Sequence, residues 1–272
     1  MEPRHRVGGY QEFAPPPEIA DFCEALWIHR TPDGPAVRGA AHRVLPDLAV
    51  SIAFQTFRDA DGRPVNGGPI VAGPKLQAHI FDLVPGRELA AIRIKPEWVA
   101  PVLGIHPLDV ENSVIDLAAA CPVLSERLQD EASTTRSLRE ALGVVTRVIV
   151  RNRKSRTVPS TAAATALDLV RRSRGRLPCE RLADMMGFSV RHVRRHVHDS
   201  TGVSPKAYAR VVRFVSSILI ADAAPSPVWA DIAARAGYAD QSHFIRDTIA
   251  LTGRTPTDLF DERRRQILVT AS

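Results

Sequence analysis

Apolar and polar residues alternate in short runs through the first third of the chain, and prolines and glycines divide these runs. Val50, Ile52 and Phe54 fall on one side of an extended segment, and residues 89–95 repeat the same two-residue period. Further strands are expected at residues 69–74 and 77–84. Short strands separated by turns predict a small antiparallel β barrel or sandwich.

From residue 123 onward, apolar residues recur at every third or fourth position, which indicates helices. One stripe has the spacing of a helix that packs either on its own domain or against a second copy of the chain. It consists of Leu138, Leu142, Val145 and Ile149. More helices are predicted at residues 161–174, 180–186, 190–197 and 206–221. The fold class is therefore α+β, with a β domain followed by an all-α domain.

Residues 229–256 predict a short helix, a glycine turn and a second helix. An apolar stripe runs over Trp229–Ala236, and Gly237 stands where a helix commonly ends in the left-handed conformation. Asp240 can cap the next helix, whose Phe244 faces the core. This is a helix-turn-helix pattern, in which the second helix can lie in the major groove of DNA.

The same stretch resembles the second DNA-reading unit of AraC-type transcription regulators. The residues that carry the resemblance are Trp229, Asp231, Ile232, Ala233, Ala236, Gly237, Tyr238, Asp240, Gln241, Ser242, His243, Phe244, Arg246, Gly253, Thr255 and Pro256. The chain departs from the family at Thr248, where the family usually has an aromatic residue. The resemblance implies a DNA-binding regulator with two such units.

A second, earlier copy of the unit is visible in the sequence. Gly187 corresponds to Gly237 at an offset of 50, and Gly202 corresponds to Gly253 at an offset of 51. The second unit therefore carries one extra residue in or beside its turn. Each helix-turn-helix unit is called a head below: the first head is the unit around Gly187 and the second is the unit around Gly237. Two such heads on one connecting helix are expected to contact successive major-groove faces about 34 Å apart without dimerisation. Val197 and Thr248 replace the family's phenylalanine, so each head is expected to lose about 1 kcal/mol of packing.

Exposed polar residues of the two heads are the candidate DNA contacts, because arginine suits bidentate contact with guanine or contact with phosphate. In the first head they are Ser189, Arg191, His192, Arg194 and Arg195, with Lys206 and Arg210 on the connecting helix as candidate phosphate contacts. In the second head they are Asp240, Gln241, Ser242, His243 and Arg246. Which arginines contact bases and which contact phosphates stays open. His192 and His243 are explained at least as well by helix packing or phosphate contact as by contact with bases. Arg195 and Arg246, which occupy matched positions in the two heads, have a partly structural role by the family resemblance.

Charge is distributed unevenly along the 272 residues, whose net charge is +6. Residues 1–125 contain 11 Lys and Arg against 15 Asp and Glu, whereas residues 126–272 contain 25 against 15. A basic second half suits a polyanion partner, although a solvated basic surface would have the same composition.

The front half contains a scattered set of residues in a fixed order: Pro15, Pro16, Phe22, Trp27, Leu45, Pro46, Asp47, Gly73, Pro74, Lys95, Pro96, Leu103 and Gly104. In these residues it is similar to the cupin-like sensor domain that precedes some AraC-type DNA-binding domains. The domain division expected from both resemblances is a sensor domain at residues 1–122, a helical connector and basic linker at 123–158, and a double helix-turn-helix domain at 159–265. The basic, proline-closed residues 152–160 are the expected linker.

Catalytic and metal-binding chemistry is not predicted. His29, His42, His79 and His106 lie on different segments without the metal-ligand spacing of a cupin enzyme, and no cofactor is expected. Arg93 and Lys95 either hold an anionic effector inside the barrel or face solvent. Aromatic residues line an apolar pocket or fill the core; these are Trp27, Phe54, Phe57 and Trp98. The three scattered cysteines and the absence of a signal-like N-terminus favour a reducing cytoplasm.

The sequence thus predicts a cytoplasmic, sequence-specific transcription regulator that binds double-stranded DNA. A small-molecule effector, RNA polymerase and a second copy of the chain are further candidate partners, and no membrane is expected. Two alternatives stay open. The first is an enzyme fused to a DNA-binding domain, either a cupin-type metal-dependent enzyme or a DNA-repair methyl acceptor. The second is a regulator whose front half only mediates protein contacts.

Overall fold

The computed structural model describes residues 5–7, 9–33, 37, 40–59, 61–153 and 158–271. Its first part contains two antiparallel sheets with the strand orders β1-β2-β3-β8-β5-β6-β9 and β4-β7. The strands are β1 His5–Val7, β2 Tyr10–Phe13, β3 Cys23–Arg30, β4 Ala41–Val44, β5 Val50–Arg58, β6 Pro64–Ala72, β7 His79–Asp82, β8 Glu88–Ile94 and β9 Val114–Asp116. The predicted antiparallel β domain is confirmed.

Two-residue alternation builds the large sheet. Val50, Ile52 and Phe54 of β5 are buried in one core with alternate residues of β3 and β8. The opposite face carries small residues such as Ala53 and Ala91, which pack together with Trp27. This division follows from the period of a strand, because neighbouring side chains point to opposite faces.

Four helices follow within or after the β domain: α1 Val99–Leu103, α2 Leu117–Ala120, α3 Pro122–Ala132 and α4 Leu138–Asn152. The predicted stripe of α4, from Leu138 to Ile149, is buried in the same core as the large sheet. Of the two readings of this stripe, packing on its own domain is therefore the correct one. Part of the predicted linker, residues 154–157, lies outside the described residues.

Over the described residues 158–271, seven helices form the second part: α5 Thr161–Arg172, α6 Cys179–Met186, α7 Val190–Thr201, α8 Pro205–Asp222, α9 Trp229–Ala236, α10 Gln241–Thr252 and α11 Pro256–Ala271. The predicted helices are confirmed within a few residues. The long α8 runs between two bundles, packing with α5–α7 through residues such as Tyr208 and with α9 through Ile220. Among the described helices, none is both long and apolar enough to cross a membrane.

Candidate nucleic-acid interface

The two helix-turn-helix units have the same dimensions. Helices α6 and α9 each span 8 residues, and α7 and α10 each span 12. Gly187 and Gly237 end the first helices with φ values of 67° and 86°, in the region that favours glycine. Two residues then separate Gly187 from α7 and three separate Gly237 from α10, so the second turn carries the one extra residue that the sequence predicted.

Ser189 and Asp240 cap the N-termini of α7 and α10. Ser189 Oγ accepts a hydrogen bond from the His192 backbone N–H at 3.2 Å, and Asp240 Oδ1 accepts one from the His243 N–H at 2.6 Å. Both caps satisfy a backbone donor that the helix leaves without a partner. Each cap therefore fixes the residue at which its helix begins. It thereby fixes the positions of the exposed side chains on the first turn of that helix.

The inward side of each helix is mostly apolar, with buried polar residues at Thr201 of α7 and at Asp247, Thr248 and Thr252 of α10. Val193 and Val197 are buried in the first head, and Phe244 is buried in the second. Thr248, at the position where an aromatic residue was expected, is fully buried, and its hydroxyl donates to the Phe244 carbonyl at 2.8 Å. Its polar group is thus satisfied by its own helix, as threonine hydroxyls commonly are.

The outward side of α7 is a basic surface. Arg191, Arg194 and Arg195 are all exposed. The His192 ring lies between Phe188 and His196, at centroid distances of 4.5 and 4.2 Å. Desolvation, followed by the charges of His196 and Arg195, lowers the pKa of His192, which favours a neutral imidazole at pH 7. The arginines therefore supply the positive charge of this surface.

The outward side of α10 is polar, with a single arginine. Gln241, Ser242 and Arg246 are exposed, and His243 is half-buried with its ring against the edge of Tyr238 at 5.2 Å. Amide and hydroxyl side chains suit hydrogen bonds to base edges, whereas arginine suits guanine or phosphate. The two heads therefore present different chemistry on the same scaffold.

Of the two candidates on α8, Lys206 is exposed, whereas Arg210 is bound within the protein. Arg210 Nε lies 2.5 Å from Asp247 Oδ1, and the Tyr238 hydroxyl donates to Asp247 Oδ2 at 3.0 Å. The network joins α8 to α10 and to the turn before it. Burial, followed by the charge of Asp247, raises the pKa of Tyr238 above its ordinary value.

Sequence reasoning did not single out Asp247 as a member of this network. An acidic residue is unusual in the inward half of a mostly apolar helix, and that was the available signal. Its partner Arg210 lies 37 residues away, and only the packing of α8 against the second head brings them together.

The β domain also contacts the first head through a buried ion pair. Arg171 of α5 lies 2.6 Å from Glu97, whose side chain is only 1% exposed, and also donates to the Tyr208 hydroxyl at 3.0 Å. Hydrogen bonds and charge from Tyr208 and Glu97 outweigh burial and raise the pKa of Arg171. This pair fixes α5 and α8 against the segment that follows β8.

The two cations considered for an anionic effector are both engaged by the protein. Arg93 lies 2.8 Å from Glu12 and 3.1 Å from Asp47. Lys95 Nζ donates to the Ala20 and Asp21 carbonyls at 2.6 and 2.9 Å. His29 and His42 are neighbours, with ring centroids 6.2 Å apart. Within the described ranges, no group of three or more His, Cys, Asp or Glu side chains is arranged to hold a metal ion.

Two family models match the chain. Residues 182–262 match a model described as a helix-turn-helix domain, which is of the AraC type. Residues 11–116 match a domain of unknown function, DUF6597. No curated protein matches the sequence.

Several solved structures are similar in overall shape. ToxT from Vibrio cholerae aligns with a TM-score of 0.45 and 11% identity, over 93% of this chain and 97% of that one. ToxT bound to (E)-4-(8-methylnaphthalen-1-yl)but-3-enoic acid aligns with a TM-score of 0.46 and 14% identity, over 87% and 97%. A DNA-binding transcriptional dual regulator from Escherichia coli aligns with a TM-score of 0.35 and 14% identity, over 41% and 99%. Similarities this low establish no shared ligand.

Proposed function

We propose that this chain is an AraC-type transcription regulator, which the helix-turn-helix match over residues 182–262 supports, and that its two heads bind successive major-groove faces of one DNA site. The observation that carries the proposal is the repeated unit itself. Two capped recognition helices of equal length, α7 and α10, flank one connecting helix, and each exposes polar side chains along its outer face.

The first head is proposed to contribute most of the charge-dependent affinity, and the second most of the hydrogen-bonded base contacts. Arg191, Arg194 and Arg195 are exposed together, so some of them contact phosphates, which gives salt-dependent binding. Gln241 and Ser242 expose amide and hydroxyl groups instead. The remaining contacts in the proposal are phosphate binding by the exposed Lys206 and at the start of α7, Ser189–His192, where the cap is neutral. At the start of α10 the Asp240 carboxylate would repel a phosphate, so Asp240, His243 and Arg246 are proposed to contact base edges.

Arg210, expected from its position on the connecting helix to contact phosphate, is proposed to have mainly a structural role. Its guanidinium is held by Asp247, so it is proposed to orient α10 on α8 and to contact phosphate only through its exposed edge.

Selection of bound sites from random duplex DNA tests the proposal. The wild-type chain should enrich two short boxes about one helical turn apart. Arg195→Ala should lose enrichment of one box and Arg246→Ala of the other, each at a cost of about 1–3 kcal/mol. Arg172→Ala, an exposed arginine of α5, is the matched control and should leave both boxes enriched. Enrichment of a single box by the wild-type chain would show that only one head reads DNA.

The domain division at residues 122 and 158 is proposed along with this function. A fragment covering residues 159–272 should then bind the same boxes in low salt. Loss of all binding by a folded fragment would contradict the division and point to heads that need the β domain.

Control by an effector or by a second copy of the chain is proposed for the β domain, which has a core of its own and contacts the first head directly. Catalysis is not part of the proposal, and contact with RNA polymerase would follow from activation of transcription. Thermal shift screening of small molecules and sedimentation of the chain on its DNA site test these two forms of control. Stoichiometric iron or zinc in the purified protein would instead favour the enzyme alternative.

A further inference from the structure

The C-terminal ends of the two recognition helices are covered by the β domain. Helices α7 and α10 both end at a glycine in the left-handed region, Gly202 and Gly253, with φ values of 76° and 72°. The last-turn carbonyls of any helix lack a partner within the helix and must be satisfied elsewhere. In this chain, several of those partners come from another domain.

At the end of α10, three β-domain donors meet three successive carbonyls. The Ala78 N–H donates to the Leu251 carbonyl at 2.7 Å, and Arg43 Nη1 donates to the Thr252 carbonyl at 2.9 Å. Gln77 Nε2 donates to the preceding carbonyl, that of Ala250, at 3.4 Å. The positive charge of Arg43 also suits the negative end of the helix dipole.

Arg43 and its neighbour are anchored at this position. The Arg43 side chain is only 11% exposed, and its Nε lies 3.0 Å from Glu262 of α11. Leu45, two residues further on, packs into the cluster formed by Phe214, Leu251 and other residues of the second bundle. Strand β4 and the residue that follows it, Leu45, therefore contact the second bundle through an ion pair, a hydrogen bond and an apolar side chain.

At the end of α7, the donor is a histidine. His106 Nε2 lies 3.0 Å from the Asp199 carbonyl, and its Nδ1 accepts a hydrogen bond from the Leu108 N–H at 3.3 Å. Because a carbonyl can only accept, Nε2 carries the proton. Leu108 covers the helix end so closely that a Cβ at Gly202 would lie 2.3 Å from its Cγ.

Two separate parts of one β domain thus reach the ends of both recognition helices. Without these contacts, the relative placement of the heads would depend mainly on α8 and on the Arg176 side chain, which lies against Gly237. With them, the heads are joined a second time, through the β domain. Two heads that are connected both by α8 and through the β domain have fewer relative orientations than two heads connected by α8 only, because each additional contact removes conformational freedom.

We propose that the β domain positions the two recognition helices relative to each other by binding their C-terminal ends, with Arg43 and His106 as the positioning residues. The proposal rests on the proposed function and deepens it: these residues do not touch DNA, and they determine which spacing between the two boxes is bound. A change in the β domain is then transmitted to DNA as a change in spacing preference.

The test compares variants that keep or remove each donor. His106→Asn keeps a side-chain acceptor for the Leu108 N–H but cannot reach Asp199, whereas His106→Gln places an amide nitrogen where Nε2 stood. Arg43→Met keeps the length of the side chain without a donor, whereas Arg43→Lys keeps a charged donor. The full chain is used throughout, with duplex libraries that hold the two selected boxes at a series of spacings.

The wild-type chain is expected to enrich one spacing. The double variant Arg43→Met with His106→Asn should bind several spacings alike. It should bind the preferred spacing about tenfold more weakly, because only about a tenth of the molecules then hold the two heads in that placement. Binding to a duplex with one box should change less than twofold. The Arg43→Lys and His106→Gln chains should keep the wild-type spacing, which a merely destabilising effect would not explain.

Unchanged spacing preference in the folded double variant would overturn the positioning role and leave the two-head function intact. Enrichment of only one box by the wild-type chain would overturn the two-head function, and this proposal with it. Thermal melting shows whether each variant folds. If Arg43→Met does not fold, the variants of the partly exposed His106 test the proposal by themselves. A broadened spacing preference for His106→Asn but not for His106→Gln supports the proposal. Identical spacing preferences of the two variants refute it.

Discussion

At the scale of single residues, the second head depends on a polar network inside a mostly apolar bundle. Asp247 receives Arg210 from α8 and the Tyr238 hydroxyl from the turn. A buried carboxylate that loses its partners is costly, and so is a partner left without its carboxylate. Asp247 therefore joins α10 both to α8 and to the turn that precedes α10.

Asp247→Asn should lower the free energy of unfolding by about 1–2 kcal/mol, less than a fully buried pair would cost, because the Arg210 side chain is 41% exposed and solvent screens it. Urea denaturation measures the change. Asp231→Asn, which breaks the exposed pair with Arg235, is the control and should stay within about 0.5 kcal/mol of the wild type. Equal effects of the two substitutions would contradict a structural role for the network.

His29 makes stability depend on pH. Burial, with the charges of His42 and Arg87, lowers its pKa from the ordinary 6.5 to about 4. The unfolded chain therefore takes up the proton first as pH falls, so this contribution to stability is present above about pH 6.5 and is lost towards pH 4.

His29→Gln should remove that contribution. The stability difference between the wild type and His29→Gln should change by on the order of 2–3 kcal/mol between pH 7 and pH 4, with the wild type losing more. Urea titrations at several pH values measure it, and taking the difference cancels carboxylates common to both chains. A difference that does not vary with pH would mean that His29 keeps an ordinary pKa.

At the scale of elements, the heads are specified by local signals at helix ends. Ser189 and Asp240 each supply a side-chain acceptor at the first turn, and a glycine ends each recognition helix. These features require only neighbouring residues, which is why the sequence predicted both helices and the extra residue in the second turn.

Ser189→Ala and Asp240→Ala should each cost about 1 kcal/mol of stability in the absence of DNA, because a backbone donor loses its cap. Thermal melts followed by circular dichroism report the loss. Ser242→Ala changes an exposed serine of α10 that caps nothing, and its melting temperature should match that of the wild type. A similar loss for Ser242→Ala would show that the caps contribute nothing particular.

At the scale of the whole molecule, the two parts of the chain are joined by more than a linker. Glu97, Arg171 and Tyr208 form a buried contact between the segment after β8 and the first bundle. Leu48 and Leu76 of the β domain extend the core of the first head. The stability of each part is therefore coupled to that of the other.

Glu97→Ala should cost about 3–5 kcal/mol, because it leaves Arg171 largely buried beside no carboxylate. It should also separate thermal unfolding into two transitions, one for each part of the chain. Differential scanning calorimetry shows whether the chain unfolds in one transition or in two. Glu131→Ala, which breaks the surface pair with Arg151, should leave a single transition near the wild-type temperature. A single, unshifted transition for Glu97→Ala would show that the parts unfold together without this contact.

The sequence by itself determined the α+β order, the two repeated units, their caps and the outward polar residues of α7 and α10. All of these follow from periodicity and from signals a few residues apart. It left open the side on which the α4 stripe packs and whether Arg93 faces the barrel interior or solvent. It named Arg210 only as a candidate phosphate contact and did not point to Asp247.

Tertiary structure decided those points, since each depends on residues distant in the chain. Arg43 meets the end of α10 209 residues later, and His106 meets the end of α7 93 residues later. A helix-end carbonyl accepts from any donor that packing brings to it, and no local pattern announces which donor that is. Neighbouring residues specify each head, and contacts between distant segments place one head relative to the other.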